Sequence, residues 1–230
     1  MINLAYSTLL FDIDDTILDF QASEKQALKK LFNHLHQPLT ATMANYYQQL
    51  NVTLWQRYER GEIARADLLN QRFTLFFHHF GEDVDGIATE RIYRQYLAEG
   101  HQPMPGAPSL LADLSRDYEL YIITNGIAQT QIRRIREAGF APYFRQLFIS
   151  EQIGAQKPSQ AFFKSVAHQI DHFKKADTLV IGDSLTSDIL GAANYGLDSV
   201  WFNPHHLVNQ TPTTPTYEID RLNQLKIICS

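Results

Sequence analysis

The chain has almost no cysteine: one thiol, Cys229, stands beside the carboxyl terminus. An internal disulfide needs two, so none can form, and a reducing compartment suits the chain. Basic charge is not in excess either, with 25 acidic against 20 basic residues and a formal net charge of -5. A nucleic-acid backbone is neutralised by a positive stripe, so a polymeric nucleic acid is not expected as a partner. The sequence shows no basic segment leading into a long apolar one at its start. No apolar stretch approaches the roughly 20 residues of a membrane span. The expectation is a cytoplasmic protein, monomer or homodimer, with no membrane partner. Internal repeats and long low-complexity tracts are also missing.

What is present is a chain of 230 residues, 44% apolar, enough for one large domain or a core with a smaller appended module. Leu9-Leu10-Phe11 is a short apolar run that stops abruptly in aspartates, as a strand buried on both faces does where it opens into a polar loop. Runs rich in branched or aromatic residues recur at Glu119 to Ile123, Leu147 to Ile149, Thr178 to Ile181 and Ser199 to Phe202. Helical periodicity fills the intervals at Ser109 to Asp117, Ala128 to Ala138, Ser159 to Ile170 and Ser187 to Tyr195. Strands alternating with helices predict an α/β fold, a doubly wound parallel sheet with right-handed crossovers.

From about Ala22 to Ala98 the alternation is replaced by four amphipathic helical patterns, near 22–36, 41–60, 65–80 and 84–98. Gly61 and Gly81 punctuate them, and Gly100 with Pro103, Pro105 and Gly106 marks the return. The expected organisation is a core of residues 1–19 and 99–230 with a helical insert over 20–98. An insert just after the first strand is placed to cap that strand's carboxyl end. The tail from Asn203 to Thr216, rich in Pro, Thr, Asn and His, reads as surface loop, with Tyr217 to Leu225 docking back on the core.

Four short motifs fall in a fixed order, three of them directly after such a run: Asp12-Ile-Asp14-Asp15-Thr16, Thr124-Asn125-Gly126, Lys157-Pro158, and Gly182-Asp183 with Asp188. A parallel sheet delivers the residues past its strand ends to one crevice, so these groups are expected to meet. Asp12 and Asp14, two apart, share one face if the strand continues through them. Two such carboxylates divide labour, one ionised, the other with a raised pKa. Thr16 offers a hydroxyl to hold a carboxylate. Asp183 and Asp188 add hard oxygen ligands of the kind that suits Mg2+, and Gly182 is expected to let the backbone turn sharply. Thr124, Asn125 and Gly126 form a candidate anion site at a helix start. Pro158 suits a first helical turn and aims Lys157. Taken alone, the motifs read as helix-capping aspartates, an Asn-Gly turn and a solvated lysine; their joint order is what carries chemistry.

This ordered set resembles the haloacid dehalogenase (HAD) superfamily of phosphohydrolases, and the resemblance spans essentially the whole chain. It implies a Rossmann-like core with a C1-type helical cap domain. It implies Asp12 as the nucleophile that becomes an aspartyl-phosphate, Asp14 as general acid and base, and Thr16 as support for the pair. Thr124, Asn125, Gly126 and Lys157 would bind phosphate, and Asp12, the Asp14 backbone carbonyl, Asp183 and Asp188 would hold Mg2+. Members that dehalogenate, and P-type ATPases, lack an aspartate at the place of Asp14, which points to a phosphatase of small phosphomonoesters or to a sugar phosphomutase.

The stretch Leu9 to Phe20 and the ending Ile122-Ile123-Thr124-Asn125-Gly126 most resemble the pyrimidine 5′-nucleotidases of the YjjG/YfnB type. Capped phosphatases acting on phosphoglycolate or acylneuraminate phosphates share the same core motifs. The insert is rich in aromatic residues, among them Tyr46, Tyr47, Trp55, Tyr58, Phe73, Phe76, Phe77, Phe80, Tyr93 and Tyr96. Such rings can stack a nucleobase, but most are expected to pack the insert's own core. Phe20 is the preferred single substrate contact. Arg57, Arg60 and Arg65 are expected on solvated surface. Adjacent histidines, His78 with His79 and His205 with His206, diverge by about 100° on a helix and make poor chelators.

Overall fold

A computed structural model describes residues 6–229. Two compact units emerge, one running to Phe20 and resuming at His101, the other formed by Gln21–Gly100.

The second unit is helical. Its elements are α1 (Phe20–His34), α2 (Ala41–Glu59), α3 (Arg65–His79) and α4 (Gly86–Leu97). Local chemistry sets the boundaries: the Thr40 side chain accepts from Met43 N to start α2, and Asp85 accepts from Ala88 N to start α4. Gly61 and Gly81 sit at φ of 72° and 79° between helices. Phe32, Tyr47, Phe73, Phe76, Phe77 and Tyr93 are buried and meet ring to ring, Phe73 lying 5.1 Å from Tyr93 between centroids. These aromatics are therefore the unit's own core, as expected for most of the insert's rings. His79 stacks on Tyr46, and Arg57 and Arg60 are exposed beside Glu62.

Inside that core lies a charge network that draws on all four helices. Arg72 on α3 forks onto both oxygens of Glu90 on α4 and donates to Asn51 Oδ1 on α2 at 2.7 Å. Asn51 Nδ2 in turn donates to Glu24 Oε1 on α1 at 2.6 Å, and the Arg72 guanidinium lies 5.0 Å from the Tyr93 ring centroid.

The first unit is an α/β layer. Strands β1 (Thr8–Phe11), β2 (Glu119–Thr124), β3 (Gln146–Ile149), β4 (Thr178–Gly182), β5 (Asp198–Phe202) and β6 (Tyr217–Ile219) form one sheet in the order β3-β2-β1-β4-β5-β6. Every pairing is parallel, and Phe11 is flanked by Ile122 on one side and Ile181 on the other. The helices are α5 (Ala107–Leu114), α6 (Ala128–Glu137), α7 (Ser150–Ile153), α8 (Gln160–Gln169), α9 (Leu190–Tyr195) and α10 (Leu225–Cys229), with a π turn at Leu185–Ile189 leading into α9. Leu9, Leu10, Phe11, Leu179, Val180 and Ile181 are fully buried, which is why the central strands read as unbroken apolar runs. One hydrophobic cluster contains Leu9, Phe11, Leu179 and Ile181, and another contains Leu10, Ile123, Val180 and Phe162. The order reverses direction between β1 and β4, and a doubly wound sheet opens its crevice at the carboxyl ends flanking such a point.

The tail expected to dock back does so as β6 and α10, and Cys229 is buried in the core as a small apolar residue. No helix among the described residues is long and apolar enough to cross a membrane. For the helical unit, Glu90→Ala leaves the Arg72 guanidinium buried without its main counter-charge. Chemical denaturation is expected to show a loss of about 3–5 kcal/mol; an unchanged midpoint would mean the network carries no structural weight.

Candidate active site

The ladder outlasts β1 by one residue, because Asp12 N donates to Ile181 O at 2.9 Å. The chain then turns. Ile13 O accepts from Ile17 N and Leu18 N, and Asp15 adopts a left-handed φ of 55°. The expectation that Asp12 and Asp14 share one strand face is corrected by this turn, since their carboxylates point to different partners. Asp15, without a role in the sequence reading, accepts from Phe20 N at 2.9 Å and so caps the start of α1.

Asp12 faces Lys157. The buried ammonium donates to Asp12 Oδ1 and Asp188 Oδ1, each at 2.6 Å, and to the Ile123 carbonyl at 3.0 Å. A lysine has three donors, and all three are used. Burial works to lower the Lys157 pKa, but the Asp12 and Asp188 carboxylates outweigh it and hold the group charged. The lysine is aimed by Asn125, whose Oδ1 accepts from Lys157 N and whose Nδ2 donates to Lys157 O, both at 3.0 Å. Pro158 does not sit in the first helical turn as expected: Ser159 is the N-cap of α8, accepting from Phe162 N, and the helix opens at Gln160. The amide clamp, rather than the proline, fixes Lys157. Asn125, assigned by resemblance to phosphate, thus spends one donor and its acceptor on backbone.

Asp188 lies in the π turn, with Oδ2 accepting from Ser184 N at 3.2 Å. Gly182 is required by space and not by a turn, because a Cβ there would stand 2.2 Å from Asp188 Oδ2. Trp201 Nε1 donates to Asp183 O at 2.8 Å and ties β5 to the loop that carries Asp183. One oxygen each of Asp12, Asp183 and Asp188 lies within 4.8 Å of the others. Burial pushes the Asp12 pKa up from 3.8 to about 8, with Lys157 pulling the other way and Asp188 and Asp14 adding to the rise. Asp183 is driven up by burial and by Asp12 and Asp188. Three hard carboxylates against one ammonium leave an excess of negative charge that a divalent cation would neutralise, so this donor set fits such an ion.

Asp14 sits on the other side of the loop, its side chain 30% exposed. Its Oδ1 accepts from Arg134 Nη1 and its Oδ2 from Gln131 Nε2 at 2.7 Å. Gln131 Nε2 also donates to Thr124 Oγ1 at 3.1 Å, which accepts from Gly126 N at 3.0 Å as well. Gly126 N–H therefore points inward to Thr124 and not out as an anion donor, and Ala128 N, at the start of α6, is taken by Glu151 Oε2 at 2.8 Å. Thr16 Oγ1 is buried with no hydrogen-bond partner among the described residues, so it holds neither aspartate. Phe20 is half-buried, and the Arg134 guanidinium lies 5.8 Å from its ring centroid. Gln131 and Arg134 escaped the sequence reading. A helix reading AQTQIRRIRE looks solvated, yet both residues are buried.

Fold and site define a class: an α/β protein of Rossmann-like strand order with a buried carboxylate and lysine centre at its switch point. The chain belongs to the haloacid dehalogenase-like hydrolases, whose family model matches residues 6–196. It is 45% identical over 215 residues to the pyrimidine 5′-nucleotidase PynA of Streptococcus pneumoniae, covering 93% of this chain and 91% of that one. Against the pyrimidine 5′-nucleotidase YjjG of Escherichia coli it is 30% identical, with 98% and 99% covered. The HAD-hydrolase YfnB of Bacillus subtilis is 44% identical over 96% of this chain and 94% of its own. The crystal structure of YfnB bound to magnesium superposes with a TM-score of 0.94, covering 98% of this chain and 99% of that one.

The raised carboxyl pKa values have a measurable sign. An acid whose folded pKa lies above its unfolded value keeps a proton that the unfolded chain has lost, so cation-free stability falls as pH rises from about 4 towards about 8. A cation needs the ionised form. Titration with Mg2+ at pH 7 is therefore expected to release protons, read by calorimetry in buffers of different ionisation enthalpy, and apparent affinity should climb up to about pH 8. Binding without proton release would contradict the assignment.

Proposed function

We propose that this hydrolase is a Mg2+-dependent phosphatase of small phosphomonoesters, acting on pyrimidine nucleoside 5′-monophosphates through a phosphorylated Asp12. The observation that carries the reading is the Lys157 ammonium set 2.6 Å from both Asp12 and Asp188 at the sheet's switch point. Kinship with two proteins named pyrimidine 5′-nucleotidases supports the substrate class.

Phosphoryl transfer asks the protein mainly for positioning and for charge on the equatorial oxygens. Asp12, Asp183 and Asp188, with the Asp14 backbone carbonyl, would hold the ion. Bound Mg2+ supplies positive charge to the transferring group. Asp12 attacks phosphorus, the ester P–O bond breaks, and Asp14 as the acid protonates the departing alkoxide to give the nucleoside. Asp14, now a carboxylate, takes a proton from water as that water attacks phosphorus. The P–O bond to Asp12 breaks, phosphate leaves, and both residues return to their starting state. All three Lys157 donors are occupied, so an incoming phosphoryl oxygen takes the place of one present acceptor. Thr124, buried beside Gln131, keeps a hydroxyl proton for the same group. Base preference is assigned to the helical unit.

The test is phosphate release over a panel of nucleotides and sugar phosphates with Mg2+. Uridine and cytidine 5′-monophosphates are expected to lead the panel, and Asp12→Asn to reduce release to background while the circular dichroism spectrum shows the fold retained. Wild-type release by Asp12→Asn would remove Asp12 as nucleophile; a flat profile across sugar phosphates would remove the nucleotide assignment.

A further inference from the structure

We infer that Gln131 and Arg134 are positioning residues for Asp14, a pair of buried donors that hold the carboxylate required for proton transfer; the inference rests on the reading of Asp14 as acid and base. Both lie on α6, three residues apart, and so on one face. Arg134 has no exposure and Gln131 has 1%, whereas the Asp14 side chain above them is 30% exposed. Each Asp14 oxygen has its own donor, Arg134 Nη1 on Oδ1 and Gln131 Nε2 on Oδ2. The two donors are themselves joined, because Arg134 Nη1 donates to Gln131 Oε1 at 2.9 Å. Orientation is thereby fixed for the amide as well: its oxygen faces the guanidinium and its nitrogen faces Asp14 and Thr124.

The surroundings make room for this and hold it. A Cβ at position 126 would stand 2.5 Å from Gln131 Nε2, so Gly126 leaves the space in which the amide lies. The Phe20 ring lies beside the guanidinium, and Glu151 caps the first turn of α6. A carboxylate in a loop, able to turn about two side-chain torsions, needs such fixing to meet a leaving oxygen, since misplacement by about 1 Å can cost 100-fold in rate. The geometry gives Arg134 a task that neutralising its own buried charge would not demand, namely sharing a single oriented carboxylate with an amide that also binds Thr124.

The experiment compares leaving groups. A nucleoside departs as a basic alkoxide that needs the proton; p-nitrophenoxide departs with little help. The value of kcat/KM, which reports the first transfer to Asp12, is measured for uridine 5′-monophosphate and for p-nitrophenyl phosphate in wild type, Arg134→Met, Arg134→Lys and Gln131→Met, and for each in an Asp14→Asn background. Arg134→Met is expected to lose about 100-fold on the nucleotide and far less on the aryl ester, with partial recovery in Arg134→Lys and no further loss once Asp14 is Asn. An equal loss on both esters, no loss on either, or a full further loss in the Asp14→Asn background would overturn the inference. Should Arg134→Met fail to fold, Gln131→Met and Arg134→Lys carry the same comparison. Asp12→Asn run alongside separates the two readings, because its turnover tests the nucleophile whatever the leaving-group pattern shows.

Discussion

A single ammonium group makes the rest of the site physically possible. Asp12 and Asp188 are almost wholly buried, and two carboxylates that close repel each other unless a positive charge intervenes. Lys157 intervenes with one donor to each and a third to the Ile123 carbonyl. Buried ion pairs seldom gain more than they lose in desolvation, so stability alone gives little reason to keep one. The neighbouring devices all hold this group in place: the Asn125 clamp on the Lys157 backbone, the space left by Gly182 beside Asp188, and the Trp201 bond to the Asp183 carbonyl.

Topology is what brings such distant residues together. Lys157 is 145 positions from Asp12 and 31 from Asp188, yet the parallel order places β1 between β2 and β4, and the chain leaves all three strands on the same side. Asp12 follows β1, Thr124 ends β2, and Gly182 ends β4 with Asp183 next in the chain. A change in register along any of these pairings would move one carboxylate out of the cluster, so the apolar identity of Leu9 to Phe11 and Leu179 to Ile181 is also a constraint on chemistry.

Strand runs and motif order were legible because burial on both faces and a sharp apolar-to-acidic boundary leave marks in composition. The five longer strands could be read this way, whereas β6, with only Tyr-Glu-Ile, is too short to show a period. Side-chain partners were much less legible. Asp12 and Asp14 looked like one pair on a strand face, but the Ile13 carbonyl closes a turn that separates them. Asn125 looked like an anion donor, and nothing in its neighbours announces that it clamps Lys157. Gln131, Arg134 and Arg72 are long polar residues on helices whose sequences read as solvated, and their burial becomes visible only once the acidic partners are placed by the fold.

The two buried charge networks differ in a way that separates scaffolding from chemistry. In the helical unit, Glu90 pairs with Arg72 and lies 3.3 Å from the partly exposed Arg94, and Glu24 joins the set through Asn51, whose amide bridges it to Arg72. Two carboxylates and two guanidinium groups balance there, and the members reach four helices as struts would. Around Lys157, three carboxylates face one ammonium, and two negative charges remain. A fold can tolerate such an imbalance only by keeping protons on the acids or by recruiting a dication, and the raised pKa values of Asp12 and Asp183 are the first of these alternatives written into the protein. Exchange of those protons for a cation would leave all three carboxylates ionised. The imbalance is thus the feature that sets this cluster apart from the Arg72 network, and it is why its donor set fits a divalent ion.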